Sequence, residues 1–338
     1  KTQLDMKKKL TSNNTKLTSH FRPHIKYVTH AKNLKFYLEH GLKLTKVHRV
    51  LYFYQSDWLK PWIGFNTTKR AAAKNEFEKD FYKLMNNAVF GKTMENVRGR
   101  NKVYFITSES CYRKHTGRPS YKFTMNFGSE NFRIVSEDAP LVYLNKPIYA
   151  GVAILELSKI LMFNFHYDVF QPLVGPENLR LGMTDTDSLM YDIFTEDLTQ
   201  LLMKIKDSWL DTSDYPEDHP LHSTQNKKKV GYMKDETNGV PIRERACLRS
   251  KCYWFDDGKD HVKCKGVSKA ASKLLTGDQY KAALEGQTTM ANITSLRSFS
   301  HSVHTFWQRK VALSPFDDKR FLVDAIYSRP HGHWRNQG

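Results

Sequence analysis

Long apolar runs, paired cysteines and acidic residues are what this chain is short of. No apolar run approaches the roughly 20 residues of a membrane span, so an integral membrane protein is not expected. The N-terminus, Lys1-Thr-Gln-Leu-Asp-Met-Lys-Lys-Lys, lacks the apolar core of a secretory signal and reads as cut from something larger. The 4 cysteines, Cys111, Cys247, Cys252 and Cys264, form no Cys-x-x-Cys pair. That favours a reducing, intracellular setting, nucleus or cytoplasm, rather than secretion. Cys247, Cys252, His261 and Cys264 have the donor atoms for zinc, but their spacing fits no common finger. No internal repeat or low-complexity tract is visible.

Acids are outnumbered by bases, 35 Asp and Glu against 53 Lys and Arg, which leaves a net charge of +18. This is unusual for an enzyme with a neutral small substrate. Aromatics, at 13 %, are interleaved with the bases, which argues against disorder. A basic, aromatic-rich globular chain points to a polyanionic partner. Charge kept only for solubility is the alternative.

The acids that do occur include one conspicuous pair. In Leu181-Gly-Met-Thr-Asp-Thr-Asp-Ser-Leu-Met-Tyr-Asp-Ile-Phe194, Asp185 and Asp187 are separated by Thr186 and flanked by β-formers. Leu179, Leu181 and Met183 alternate on the way in; Leu189, Tyr191 and Ile193 alternate on the way out. The pattern predicts a β-hairpin whose tight connection carries the acids. Residues two apart on a strand share a face, so both carboxylates are expected to project toward one site, where a divalent cation would relieve their repulsion. Asp and Thr are also common turn residues, and an ordinary turn remains open on the tripeptide alone.

The expected elements follow the chain. Residues 31–42 read as a short helix closed at Gly41, and Leu44 to Tyr54 as a strand ended by the Trp58–Ile63 segment with Pro61. A helix is expected from about Thr67 to Asn96. On it Phe77, Phe81, Leu84, Met85 and Ala88 share a packing face, and Lys79, Lys83, Asn87 and Phe90 share the opposite one. Such a stripe is either solvated charge or a binding row suited to a triphosphate, with Gly91 allowing close approach. Residues 100–147 read as short strands with basic loops, and 148–168 as a buried helix under a sheet. An amphipathic helix at 196–210 and a loop at 211–229 follow. Strands are expected at Gly231–Thr237, Ala246–Phe255 and His261–Val267, before a basic, aromatic tail.

Taken in order, Lys83-Leu-Met-Asn-Asn-Ala-Val-Phe-Gly91, Thr184-Asp-Thr-Asp-Ser188 and Lys251-Cys-Tyr253 resemble motif B, motif C and the Lys-x-Tyr motif of family B DNA polymerases. The protein-primed branch, of bacteriophages, linear plasmids and Polinton-type elements or related viruses, is the more similar. Leu42–Val50, Phe77–Asn87 and Leu313–Arg320 look like the Polinton-type enzymes in particular. The resemblance spans nearly the whole chain. It implies an α+β fold with a palm sheet, fingers helices and a small C-terminal thumb. The segments it implies are 1–66 (N-terminal palm or terminal-protein region), 67–100 (fingers), 101–147 (an insertion like a second terminal-protein region), 148–262 (palm) and 263–338 (thumb).

The activity implied is DNA-directed DNA polymerisation, in which a primer 3′ hydroxyl joins the α-phosphate of a dNTP with two magnesium ions, or manganese in their place. Asp187 and Asp185 would be the catalytic metal ligands. Lys79 and Lys83 would hold the triphosphate, with Asn87, Phe90 and Gly91 against the nucleotide and template base. Lys251, Tyr253 and Thr186 would face primer DNA. A terminal protein is an implied further partner, and a membrane is not.

Two departures stand out. Ala88 and Phe90 occupy places where the family often has Ser and Tyr, which removes a hydroxyl near the sugar but keeps the ring. The family's upstream Asp in an Asp-x-x-Ser/Asn-Leu-Tyr context has no counterpart: Asp5 sits in Leu-Asp-Met-Lys and Asp57 in Ser-Asp-Trp-Leu. Exonuclease motifs are missing too. The chain therefore resembles the C-terminal part of a polymerase, from a shortened gene model or a decayed element, expected to be inactive or very weak alone. A non-catalytic DNA-binding remnant is the second reading. A metal-dependent glycosyltransferase is the third, which the basic charge and the lysine stripe disfavour.

Overall fold

The protein is described from a computed structural model, which covers residues 17–126, 128, 132–299, 302–317, 319–324 and 327–336. Asp5 and the basic N-terminal stretch lie outside the described residues. The chain is α+β, with helices and several small, mostly antiparallel sheets. It divides into two compact units, Lys26–Asp168 with Ser298–Val303, and Lys1–Ile25, Val169–Arg297 and His304–Gly338.

In the Lys26–Asp168 unit, α1 (Ala31–Glu39) starts at His30, whose ring accepts the Lys32 N–H, and stops before Gly41 at φ 89°. That conformation costs glycine little. The expected strand from Leu44 to Tyr54 is absent: these residues are exposed, without regular structure, and an alternating sequence makes no strand when no neighbour completes its ladder. Pro61 begins a helix rather than ending a segment. It lies in the first turn of α2 (Lys60–Ala71), where its missing N–H costs nothing. The single helix expected over 67–96 is two, α2 and α3 (Glu76–Thr93), broken at 72–75. Asn75 caps α3 by accepting the Glu78 N–H, and the Glu78 carboxylate accepts the Lys74 N–H in return. Trp62 donates to the Met85 carbonyl at 3.4 Å and Asn86 to the Thr67 hydroxyl, so α2 and α3 pack through a mixed seam. The row expected to be the packing face is largely uncovered, with Phe77 79 %, Leu84 58 % and Phe81 44 % exposed.

Strands β1 (Asn101–Ile106), β2 (Tyr121–Asn126) and β3 (Arg133–Asp138) form an antiparallel sheet in the order β1-β3-β2, with α4 (Glu109–Thr116) packed on it. Its centre is the buried Glu137, which accepts from His115 Nδ1 at 2.7 Å, Arg118 and Ser120. Burial raises its carboxyl, but these donors outweigh burial and hold it below the usual carboxylate range.

Next comes α5 (Ile148–Phe163), which continues as a π-helical stretch, Asn164–Phe170, and a last turn, Gln171–Val174. The expectation of a buried helix under a sheet fails. α5 packs on α1 and α3, buries Gly151 and Glu156, and leaves Ile148, Ile154, Leu155 and Leu157 exposed. The whole 27-residue run is also long and apolar enough to cross a membrane by length and composition, with a window of mean hydropathy 1.5, contrary to the reading that no such run exists. At mid-helix Glu156 accepts from Thr29 Oγ1 at 2.8 Å and Lys159 Nζ at 2.8 Å, while Asn33 donates to its carbonyl. Burial pushes this carboxyl up, yet the Lys159, Thr29 and His30 donors keep it below its ordinary value.

In the other unit, β4 (Leu179–Asp185) and β5 (Ser188–Ile193) pair as the expected hairpin, with Asp185 opposite Ser188. The helix expected at 196–210 is two short ones, α6 (Leu198–Met203), capped by Asp197, and α7 (Lys206–Trp209). The following loop is not loose. Parallel β6 (Leu210–Asp211) and β7 (Met233–Lys234) close it, Asp211 accepts the Ser213 and Lys228 N–H groups, and Tyr215 Oη donates to Asp235 at 2.8 Å.

Residues 246–255, expected as one strand, contain a turn at Ser250–Lys251 between β8 (Glu244–Arg249) and β9 (Cys252–Asp256). Lys251 takes φ 59° there. β10 (Asp260–Cys264) completes an antiparallel sheet in the order β8-β9-β10. Its inner face, with Ala246, Leu248, Cys252, Trp254 and Cys264, forms the main core with Leu275, Tyr280, Ala283, Ala312 and Leu313. A short α8 (Lys269–Ser272) leads to α9 (Gly277–Leu284), on which Tyr280 donates to the Lys263 carbonyl at 2.8 Å.

A Cβ at Gly277 would lie 2.4 Å from the Trp254 ring, and Trp254 is itself fixed by its bond to Asp260 at 2.6 Å. Gly277→Ala is expected to cost about 1–3 kcal/mol through overpacking, read from the urea midpoint. An unchanged midpoint would mean the ring has room to shift.

The tail expected to be thumb-like opens with a long two-stranded ribbon, β11 (Thr289–Phe299) and β12 (Ser302–Leu313). Its span, 289–313, contains no Asp or Glu. Arg297 lies over the Phe306 ring at 5.5 Å; the β12 end, Ala312 and Leu313, enters the core, and Ala291 of β11 packs against it. β13 (Phe321–Leu322) and β14 (Ser328–Arg329) pair near the C-terminus.

Candidate functional site

An ion pair on β8 helps hold the β4–β5 hairpin over that side of the three-stranded sheet. Arg245 donates to both Asp192 oxygens, Nε at 3.0 Å and Nη2 at 2.5 Å. The guanidinium crosses β4 at Gly182, where a Cβ would lie 2.4 Å from Arg245 Cζ, so any side chain there would make the guanidinium shift. This fixes the acidic tip against the β8–β9 turn.

At that tip the two acids differ. Asp185 ends β4 and is half-buried; Thr186 and Asp187 are exposed. The Asp187 N–H donates to the Asp185 carbonyl at 2.7 Å, and Thr186 has φ 61°. The tip is therefore a γ-turn. The argument that residues two apart on a strand share a face does not apply, because Asp187 lies in the turn and not on the strand.

The turn between β8 and β9 meets this tip. Lys251 Nζ lies 2.6 Å from Asp185 Oδ1, and Thr186 Oγ1 donates to the same oxygen at 3.3 Å. Burial first, and then the negative charge of Asp185, push the Tyr253 phenol up. Thus Asp185, Thr186, Asp187, Lys251 and Tyr253, 66 residues apart between Asp185 and Lys251, gather at one end of this unit.

The outer face of the sheet extends the group. Register places Tyr253 opposite Lys263 and Phe255 opposite His261. The Tyr253 and Phe255 rings are 6.4 Å apart at 13°, and Phe255 stacks on His261 at 4.4 Å and 9°. A row of near-parallel rings is thereby bordered by the exposed Lys263 and Lys265. Alternation explains it: Cys252, Trp254, Val262 and Cys264 face inward, which turns Tyr253, Phe255, His261 and Lys263 outward. Sequence reading missed Phe255, His261, Lys263 and Lys265. The signal available was the period-two pattern on either side of the Asp256-Asp-Gly258 turn. A cleft of about 950 Å³ adjoins the tip, lined among others by Thr184, Arg249, Ser250, Lys265, Lys319 and Arg320.

The same alternation disposes of a zinc site. Cys247 lies opposite Tyr253 on the outer face, Cys252 and Cys264 point inward, and His261 points outward to stack on Phe255 and meet Asp257 at 2.9 Å. Among the described residues no three His, Cys, Asp or Glu side chains converge as metal ligands. Asp185 and Asp187 offer the hard oxygens a magnesium ion prefers, so the donor chemistry fits, with two carboxylates and, among the described residues, no third.

The remaining predicted residues lie on α3, in the other unit. Lys79 is paired with Glu76 at 2.6 Å, one turn away. Lys83, Asn87 and Gly91 are exposed; Phe90 is half-buried, and its carbonyl accepts from Thr93 at 2.7 Å. Lys83 and Asn87 thus face solvent, and Lys79 is half-buried in its pair with Glu76. No protein-family model, curated protein or solved structure matches this chain.

Proposed function

We propose that the protein derives from a protein-primed family B DNA polymerase and binds a primed nucleic acid at the acidic hairpin. The single observation that supports this best is the meeting of Asp185 with Lys251 and Tyr253, three residues brought together from motifs recognised only by their order in the chain.

In this reading the β4–β5 hairpin and the β8–β10 sheet belong to the palm, α2 and α3 to the fingers, and the segment after Cys264 to the thumb. Asp185 and Asp187 would hold magnesium, or manganese in its place. Bound there, the ion would supply Lewis-acid stabilisation of charge at the reacting phosphate. Lys251 supplies a cation for a backbone phosphate at the primer end, and Tyr253 a ring against its terminal sugar or base. Thr186 contacts DNA at the turn. Lys83, with Lys79 once released from Glu76, neutralises the triphosphate, while Asn87, Phe90 and Gly91 line the nucleotide and template base. The outer-face rings suit stacking, and Lys263 and Lys265 suit phosphates. A terminal protein is a further proposed partner and a membrane is not. The mid-helix ion pair of Glu156 and Lys159 favours packing within the protein over a span.

A second reading, a DNA-binding remnant without catalysis, is favoured by one observation: two carboxylates are present at the tip, one of them already engaged by a lysine. Primer extension with one dNTP at a time and magnesium separates the two. Weak incorporation restricted to the complementary nucleotide is expected from a polymerase. Tight binding of primed DNA with no incorporation supports the remnant, and neither result defeats both readings.

A further inference from the structure

Cys252 and Cys264 belong to neither reading, yet their placement carries chemistry of its own. They face each other across β9 and β10, directly in register. The next pair along the ladder, Lys265 and Lys251, is joined by a backbone bond at 2.9 Å, so the cysteines occupy a non-hydrogen-bonded position. Cα atoms there approach to about 4.5 Å and side chains come closest, within the span a disulfide bridges. Both side chains belong to the buried core cluster, and the Cys264 sulfur donates to the Ala312 carbonyl at 3.4 Å.

Cysteine is often only a small apolar core residue. Three features set this pair apart. The two residues stand directly opposite one another, both buried on the inner face of the sheet. The neighbouring Cys252 first, with Arg249, Tyr280 and Lys310 around it, holds the Cys264 thiol below its ordinary value, while Cys252 is raised. And neither of the remaining cysteines has such a partner: Cys247 lies opposite Tyr253, and Cys111 is on α4 in the other unit.

We propose that Cys252 and Cys264 form an oxidant-responsive dithiol that a peroxide converts into a β9–β10 cross-strand disulfide. The Cys264 thiolate attacks one peroxide oxygen; the O–O bond breaks, a sulfenic acid forms and hydroxide leaves, taking a proton to become water. The Cys252 sulfur then attacks the Cys264 sulfur; the S–S bond forms, the S–O bond breaks, and the hydroxyl leaves as water with the Cys252 proton. Two thiols lose two electrons and one peroxide becomes two waters. Cys264 is the first to react because it is the less buried of the two, 8 % exposed against 0 %, and Cys252 resolves it.

The crosslink lies immediately behind Lys251 and Tyr253, so oxidation ties down the strand that carries them. The proposal stands whether or not that strand binds DNA.

The folded chain is treated with hydrogen peroxide, quenched by alkylation and digested with trypsin. The expected product joins peptide 252–259 to a peptide containing Cys264, with two hydrogens fewer than their sum, and disappears on treatment with a dithiol reductant. Cys264→Ser and Cys252→Ser are each expected to abolish it, and Cys247→Ser to leave it unchanged. Should either serine variant misfold by circular dichroism, the alkylation rate of Cys252 and Cys264 in the native chain before and after peroxide decides. Both thiols remaining fully alkylatable while Cys111 is oxidised, or a crosslink found only after denaturation, overturns the proposal.

Discussion

Raising salt from about 50 to about 200 mM is expected to weaken binding to primed DNA by on the order of 10³-fold, irrespective of sequence, if roughly six phosphates are neutralised. The net charge of +18 alone predicts some attraction to any polyanion. What the sheet adds is a place for it, with Lys251, Lys263 and Lys265 along one face beside Tyr253, Phe255 and His261. Each phosphate contact contributes about 0.9 to the slope of log K against log salt. Replacing Lys263 and Lys265 together by Ala is therefore expected to lower the slope by about 1.8 (two contacts of about 0.9 each). Replacing Lys32 and Lys43, exposed in the other unit, is expected to leave it nearly unchanged. Fluorescence anisotropy with a labelled primer-template reads both. Equal losses from the two double variants would reduce the effect to bulk charge, and a flat salt response would remove nucleic acid as the partner.

The second large effect concerns the hairpin tip. Asp187→Asn is expected to reduce whatever magnesium-dependent incorporation the chain supports by on the order of 10³-fold, as the loss of several kcal/mol of charge stabilisation implies. The substitution keeps size and hydrogen-bonding capacity, and Asp187 is exposed, with its N–H rather than its carboxylate closing the turn. Stability should hardly change, so a rate loss separates from a folding loss. Manganese binding, followed by electron paramagnetic resonance, is expected to weaken in parallel. Incorporation that persists undiminished in Asp187→Asn would remove this carboxylate from metal binding.

The hairpin was legible because two signals coincided: alternation on both sides and a polar tripeptide between. The β8–β9 turn was not, because Ser250 and Lys251 bring neither Gly nor Asn, and Lys251 reaches φ 59° without the residue types that announce it. The α2–α3 break hides in Ala72-Ala-Lys74, all helix formers, and its one mark was Asn75 three residues before Glu78. Leu44 to Tyr54 alternates as a strand should, but a ladder needs a neighbour, which lies beyond any local pattern. The expected face of α3 fails for the same reason: periodicity shows which residues align, not whether anything covers them. Of the site, the order of motifs indicated Lys251 and Tyr253, while the rings beside them emerged only once register was known.

The ammonium on Asp185 has one more implication. Two like charges at a hairpin tip would ordinarily push the turn open unless some outside ion held them. Here the chain supplies its own counter-charge from 66 residues away, so the loop is expected to keep its shape in a solution stripped of divalent ions. Circular dichroism unchanged by a chelator is the expected result, unlike that of a domain that collapses only around its ion.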